Sequence, residues 1–415
     1  MTLLTLGKYL IGDRQAILQI AGSRQALGLG LIFVLAAGFA REYDGEDLLH
    51  EPWHLLLPLG ASLVSSAVLY LLVRLVAWLR GAKEPGLVSG YLDFLGLYLL
   101  TAPLAFVYAI PVEHFLSAGD AMRANLLLLA LVSLWRVLLI TRVVAVLYGT
   151  SFWSAIWVVL LFADTVAQIL VYLTPVPIIV VMGGIRLSPS EQILRNSAFL
   201  VGFFGVLAWP AWLIGTIAVA FPRQLRWQYQ ATMVASWPVA RQTWVVAGVC
   251  LAMWGLVLPF TQPAQILRRQ VERDLKSGRI REALATMSAH EQSDFPPHWD
   301  PPPRMAYREF APDPVDVQEQ LDMLAVKPWV YEIFLDKFAN SLRGRHYHFG
   351  TWAILSPAEV ERRVAIIERM RERGELVRDQ QRGLEQALRP DVPDELQKRI
   401  KALLEQTGRE ESAQD

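Results

Sequence analysis

Cysteine is nearly absent from this chain of 415 residues, with Cys250 its single example. No disulfide can form within the chain, and a zinc site built on cysteines is excluded. Histidine is scarce as well, and none of the seven falls inside a long apolar segment. A serine within such a segment would therefore have no imidazole base at its own depth. There is no G-x-x-x-x-G-K-[ST], no G-x-S-x-G, no H-E-x-x-H and no G-x-G-x-x-G. These absences argue against a nucleotide-driven pump and the common hydrolases, so neither a nucleotide nor a cofactor is expected. The formal net charge is zero, which leaves no electrostatic case for a nucleic-acid partner.

Charge is also sparse in the first part of the chain. Residues 1–260 hold 15 Lys and Arg and 12 Asp and Glu, whereas residues 261–415 hold 24 and 27. That shift marks a boundary near Phe260 and Thr261. With 53% hydrophobic residues and a mean hydropathy of +0.32, the composition is that of a membrane protein. A helical span needs about 20 apolar residues to cross a core of roughly 30 Å. Seven segments qualify: Gln25–Ala40, Leu55–Leu79, Tyr91–Ile110, Asn125–Tyr148, Phe152–Leu173, Ala198–Phe221 and Thr243–Phe260. The expected fold is all-α. A polytopic transmembrane helix bundle fills 25–260, an N-terminal cytoplasmic or interfacial segment precedes it at 1–24, and a mostly helical soluble domain follows at 261–415.

Two segments admit two readings each. Residues 3–22 carry Leu10, Ile11, Ile17, Leu18 and Ile20 among Lys8, Asp13 and Arg14, which fits an interfacial amphipathic helix or an extension of the first span. The stretch after Leu173 is broken by Pro175 and Pro177, and its remainder to Ile185 is too short to span. It reads as a re-entrant piece or as an interfacial turn. The first span ends Gly38-Phe39-Ala40, like a signal-peptide cleavage site, but the 24 residues before it exceed a usual n-region.

Loop charges set the expected orientation. With seven spans, one side receives nine basic residues, among them Lys8, Arg80, Lys83 and Arg142, and the other receives four, Arg41, Arg123, Arg186 and Arg195. This places the N-terminus in the cytoplasm and the C-terminal domain outside a cell membrane. The basic cluster Arg268, Arg269, Arg273 and Lys276 pulls the other way, though long domains translocate largely regardless of charge. Trp53, Trp78, Trp153, Trp227, Trp237 and Trp244 fall near span ends, where an indole ring suits the headgroup region. Ala61/Ser65 and Ser62/Ser66 would let helices approach closely in the second span. Pro103 and Pro210 are candidate kinks.

The sharpest candidate site is Arg136 with Asp164. Their two spans are joined by Gly149-Thr150-Ser151 and must be antiparallel neighbours. Each charge lies 14 residues from Thr150, or about 21 Å along its helix, which suggests a buried ion pair. Gln168, one turn from Asp164, can join it. The pair serves either as a polar lock between helices or as part of a substrate or proton path. A weak metal candidate is His346 with His348, which share a face on a strand but lack an identifiable third ligand.

In the C-terminal part, Leu267, Val271 and Leu275 form one helical stripe, and Ile280, Ala283, Leu284 and Met287 a second after Ser277-Gly278. The stretch Ser277–Leu284 resembles the turn inside a tetratricopeptide-type repeat, but it occurs once, and stacking needs about three units. A proline-rich strap at 295–314 is punctuated by Phe295, Trp299, Met305, Tyr307 and Phe310, which favours docking on helices or on a partner. Ser356-Pro357-Ala358-Glu359 is a helix start, followed by Val360, Val364 and Ile367. Leu396, Ile400, Leu403 and Leu404 mark a last amphipathic helix. The expected function is non-enzymatic: a scaffold, accessory or assembly subunit set in the lipid bilayer, whose soluble domain binds a protein partner and exposes an apolar patch for it. The alternative is a small-molecule or ion transporter built on Arg136 and Asp164.

Overall fold

The computed structural model describes residues 1–21, 23–83, 85–173, 189–221, 227–230, 238–304, 312–342, 352, 355–372 and 381–412. Among these the chain is helical, with no strand. The proline-broken stretch after Leu173, the pair His346 and His348, and the strap residues 305–311 lie outside the described residues. The chain divides into two compact units, one of residues 1–174 and 192–265, the other of 175–191 and 266–415.

In the first unit α1 (Leu3–Leu10) and α2 (Arg14–Ala21) precede α3 (Arg24–Glu42), α4 (Leu56–Leu79), α5 (Leu87–Leu99), α6 (Ala118–Leu147), α7 (Phe152–Leu173), nearly all of α8 (Pro189–Ala220) and the larger part of α9 (Arg241–Lys276), whose residues from 266 belong to the second unit. Seven helical segments are long and apolar enough to cross a membrane, and each overlaps one of the seven spans read from the sequence. Their outward faces are apolar, with Val68, Leu71, Leu127, Phe204 and Ile214 exposed. Such an exterior is the signature of a lipid-facing bundle.

Three features differ from expectation. Residues 3–21 pack into the bundle: Tyr9, Ile17 and Ile20 are buried, and the Tyr9 hydroxyl donates to the Leu97 carbonyl at 2.6 Å. Trp135 Nε1 donates to the Leu10 carbonyl at 2.9 Å, and Arg142 Nε to that of Gly12 at 3.1 Å. The third span is not one α-helix. It leaves α geometry after Leu99 and continues as a 3₁₀ helix over Ala102–Ala109. Pro103 supplies no amide and disfavours α geometry in the residue before it, so the tighter helix takes over. By contrast, Pro210, Pro259 and Pro263 lie inside continuous α-helix. Finally, Trp53, Trp78 and Trp153 are exposed at helix ends, but Trp227 is buried, with its ring 5.7 Å from that of Tyr148. Trp227 is therefore a core residue and not a headgroup anchor.

The helix α9 has 36 residues, about 54 Å at 1.5 Å each, and is continuous across the composition boundary at 260. Gln262 on it is buried. Its carboxamide accepts from Leu48 N at 2.7 Å and donates to the Tyr43 and Glu46 carbonyls at 3.2 Å, pinning the loop after α3.

In the second unit, α10 (Ile280–Ala289), α11 (Pro314–Met323), α12 (Pro328–Leu342), α13 (Pro357–Glu372), α14 (Gln381–Ala387) and α15 (Asp394–Ser412) follow. Gly278, at φ +77°, makes the turn into α10. One core gathers Val271, Leu275, Leu284, Met287, Val330 and Phe334; the other gathers Phe338, Trp352, Val364, Ile367, Ile400 and Leu403. Ser356 and Glu359 close a capping box at the head of α13, with Ser356 N donating to Glu359 Oε2 at 2.8 Å and Glu359 N to Ser356 Oγ at 3.3 Å. The Phe295 and Trp299 rings stack at 4.7 Å, Trp299 Nε1 donates to Glu272 at 2.9 Å, and Lys337 binds Asp300, so strap residues 295–300 dock on this unit's helices. The expected apolar patch is not found among this unit's described residues, where Met323 is the one large apolar side chain strongly exposed.

Candidate functional site

A cavity of about 540 Å³ lies within the first unit, between α3, α4, the α5–3₁₀ segment and α6. Helical spacing builds each wall. On α6, Asn125, Leu129, Val132, Ser133 and Arg136 recur at three- and four-residue intervals and share one face. On α4, Pro58, Ala61, Ser62 and Ser65 do the same. The broken third span contributes Ala102, Ala105 and Tyr108, three residues apart. In a 3₁₀ helix, at three residues per turn, these three eclipse one another; in an α-helix they would drift by about 60° per step. The break at Pro103 thus aligns two alanines and a tyrosine along the wall, and Ala37 of α3 completes it. Small residues on all four walls leave the space open.

The polar groups divide by depth. At the end of the bundle, Asp44, Glu113 and Asn125 line the mouth, with Asn125 Nδ2 donating to Glu113 Oε1. Arg41 is there too, paired with Glu42 at 3.2 Å. Burial pushes the Asp44 carboxyl above its ordinary value, and the neighbouring Glu113 pushes it further. Arg136 lies eleven residues deeper than Asn125 on α6, about 16 Å along the axis. Its guanidinium carbon sits 4.6 Å from the centre of the Tyr98 ring. Its Nε is buried without a hydrogen-bond partner among the described residues. Around and beyond Arg136, α1 and the turn after it bond to Leu97, Trp135 and Arg142.

The structure does not join Arg136 to Asp164: among the described residues no ion pair or hydrogen bond links them. It does join Asp164 and Gln168, with Gln168 Nε2 donating to Asp164 Oδ1 at 3.1 Å. That pair faces α8, where a Cβ at Gly205 would collide with both side chains. Asp164 Oδ2 is itself buried without a hydrogen-bond partner among the described residues. Equal distance from the turn set equal depth but not azimuth, and the two charges face different neighbours. Of the small pairs on α4, Ser66 packs, with its hydroxyl 3.0 Å from the Leu63 carbonyl, whereas Ala61, Ser62 and Ser65 face the cavity.

Sequence reading did not find the cavity. Its signal was present as small residues at helical intervals on several spans, which read equally well as close packing. A second constellation escaped notice too. Glu46, Glu51 and His54 each offer a ligand atom within 4.8 Å of the others, in the loop held by Gln262. Glu51 and His54 are three apart, 3.5 Å between Oε2 and Nε2. Two carboxylates and an imidazole suit a divalent cation.

No family model matches this chain, and no curated protein or solved structure matches it.

Proposed function

We propose that this protein is a solute-binding integral membrane protein of the transporter kind, which admits a small hydrophilic molecule from one end of its bundle. The observation that carries this reading is a cavity of mixed lining, with Arg136 and several serines on its walls, reaching mid-depth in a helix bundle with an apolar exterior. Pockets of a few hundred Å³ with a small number of placed polar groups are the usual form of a small-molecule site. An intramembrane charge that faces a cavity marks a substrate path more often than a packing device. The loop-charge bias supports a cell-membrane location with the N-terminus inside and the cavity opening outward. The second unit, with its mixed surface charge, then serves assembly or regulation.

Cysteine labelling tests the reading. With Cys250 replaced by serine, Ser133→Cys and Leu134→Cys are compared in intact cells using a membrane-impermeant maleimide. Ser133 lines the cavity, and Leu134 beside it is exposed on the bundle exterior. Thiolate forms in water and not in hydrocarbon, so Ser133→Cys is expected to react about tenfold faster or more. Equal, slow labelling at both positions would make the cavity dry and return the protein to the scaffold reading.

A further inference from the structure

We propose that the cavity takes a molecule through a terminal oxyanion, a carboxylate or phosphate group that seats on Arg136; this rests on the solute-binding reading above.

Arginine is a permanent cation in proteins, and its planar fork matches carboxylate and phosphate geometry. Isolated near mid-span, such a charge is costly unless it is paired or hydrated. Arg136 has the Tyr98 ring as its neighbour, and a ring face offsets only part of that cost. Its Nε carries a donor with no acceptor among the described residues. The acidic groups lining the cavity do not meet this need. Asp44 and Glu113 belong to the mouth, and Glu113 is bonded to Asn125 there. Asp164, the carboxylate at matching depth, is turned to Gln168 and Gly205. What faces Arg136 is the cavity itself. Ser133, one turn away on the same face of α6, adds a hydroxyl that can donate to the same oxyanion.

The same oxyanion can arrive on a free solute or on an anionic lipid headgroup. The test uses the full-length Ser65→Cys protein, lacking Cys250, in phosphatidylcholine vesicles; Ser65 lines the cavity on α4 and takes no part in the proposed seat. Its modification by an uncharged maleimide is timed with sodium acetate, with sodium phosphate, and with tetramethylammonium chloride at matched ionic strength. A further arm replaces part of the phosphatidylcholine by phosphatidylglycerol. Acetate or phosphate is expected to slow labelling several-fold, tetramethylammonium is not, and Arg136→Gln is expected to remove the protection. Should Arg136→Gln fail to fold, Arg136→Lys serves instead: it keeps the charge but loses the fork, and weaker protection is expected. Protection by phosphatidylglycerol alone assigns the oxyanion to a lipid. Brisk labelling that neither anion nor phosphatidylglycerol slows would overturn the oxyanion assignment while leaving a wet solute cavity in place. Absence of labelling in every arm would instead remove the solute-binding reading.

Discussion

The two units of this chain solve opposite problems with the same helix. In the first, large apolar side chains such as Leu71, Leu127 and Phe204 point outward, while Thr141 and Ser66 are buried and Arg136 lines a cavity. In the second, Phe334, Phe338, Trp352 and Ile367 are buried and the surface carries ion pairs, such as Arg362 with Asp316 and Glu319. Burial of apolar area can hold the second unit together. It cannot drive helices together in lipid, where close approach of small residues and interhelical hydrogen bonds take over. Gly205 beneath Asp164 and Gln168, and Gly30, where an added Cβ would stand 2.7 Å from Leu99 Cβ, are where the first unit depends on such approach.

The largest effect that would sharpen this contrast is at Phe334. Its ring is buried, so Phe334→Ala should cost about 3–5 kcal/mol, whereas the exposed Phe204→Ala should stay within about 0.5 kcal/mol. Pulse proteolysis of the full chain across a denaturant series reads both; equal losses would erase the distinction. Next in size is Gly205→Ala, expected to destabilise by about 1–3 kcal/mol through overpacking between α7 and α8. Gly255→Ala, with nothing near its added Cβ, should be neutral or stabilising by up to about 1 kcal/mol. Thermal unfolding in detergent separates the two.

A smaller effect concerns the charges that spacing suggested would pair. Because Asp164 is bonded to Gln168 and Arg136 faces the cavity, the cycle of Arg136→Gln with Asp164→Asn should show a coupling below about 0.5 kcal/mol. A larger coupling would restore the ion pair. The smallest effect is acid lability of the second unit. The hydrogen bond from Arg362 holds the Glu319 carboxyl below its ordinary value. A depressed carboxylate stabilises the fold above its unfolded pKa, and that contribution is lost as pH falls through the folded value. Stability should therefore drop as pH falls below the ordinary glutamate range, and Glu319→Gln should flatten that step. An unchanged acid profile in the variant would remove the pair from the account.

Much of this was legible without coordinates. Span existence rests on hydropathy summed over about 20 residues, which no single neighbour can override. The stripes Val271–Leu275, Val330–Phe338 and Val360–Ile367 all proved buried, because a 3.6-residue period places them on one face whatever they meet. The capping box at Ser356 and Glu359 is local chemistry and was equally readable.

Azimuth and packing were not. Distance from Thr150 determined how deep Arg136 and Asp164 lie, since rise per residue is a property of one helix. Which neighbour each faces depends on how α6 and α7 are rotated against α5 and α8, and that is settled by contacts remote in sequence. Pro103 announced a break but not its outcome. Proline removes an amide and leaves the backbone several ways to continue, and the 3₁₀ path that aligns Ala102, Ala105 and Tyr108 is selected by what packs around it. The cavity belongs to the tertiary structure for the same reason. Alanine and serine at helical intervals permit either close contact or empty space, and only the placement of four segments around Arg136 decides which.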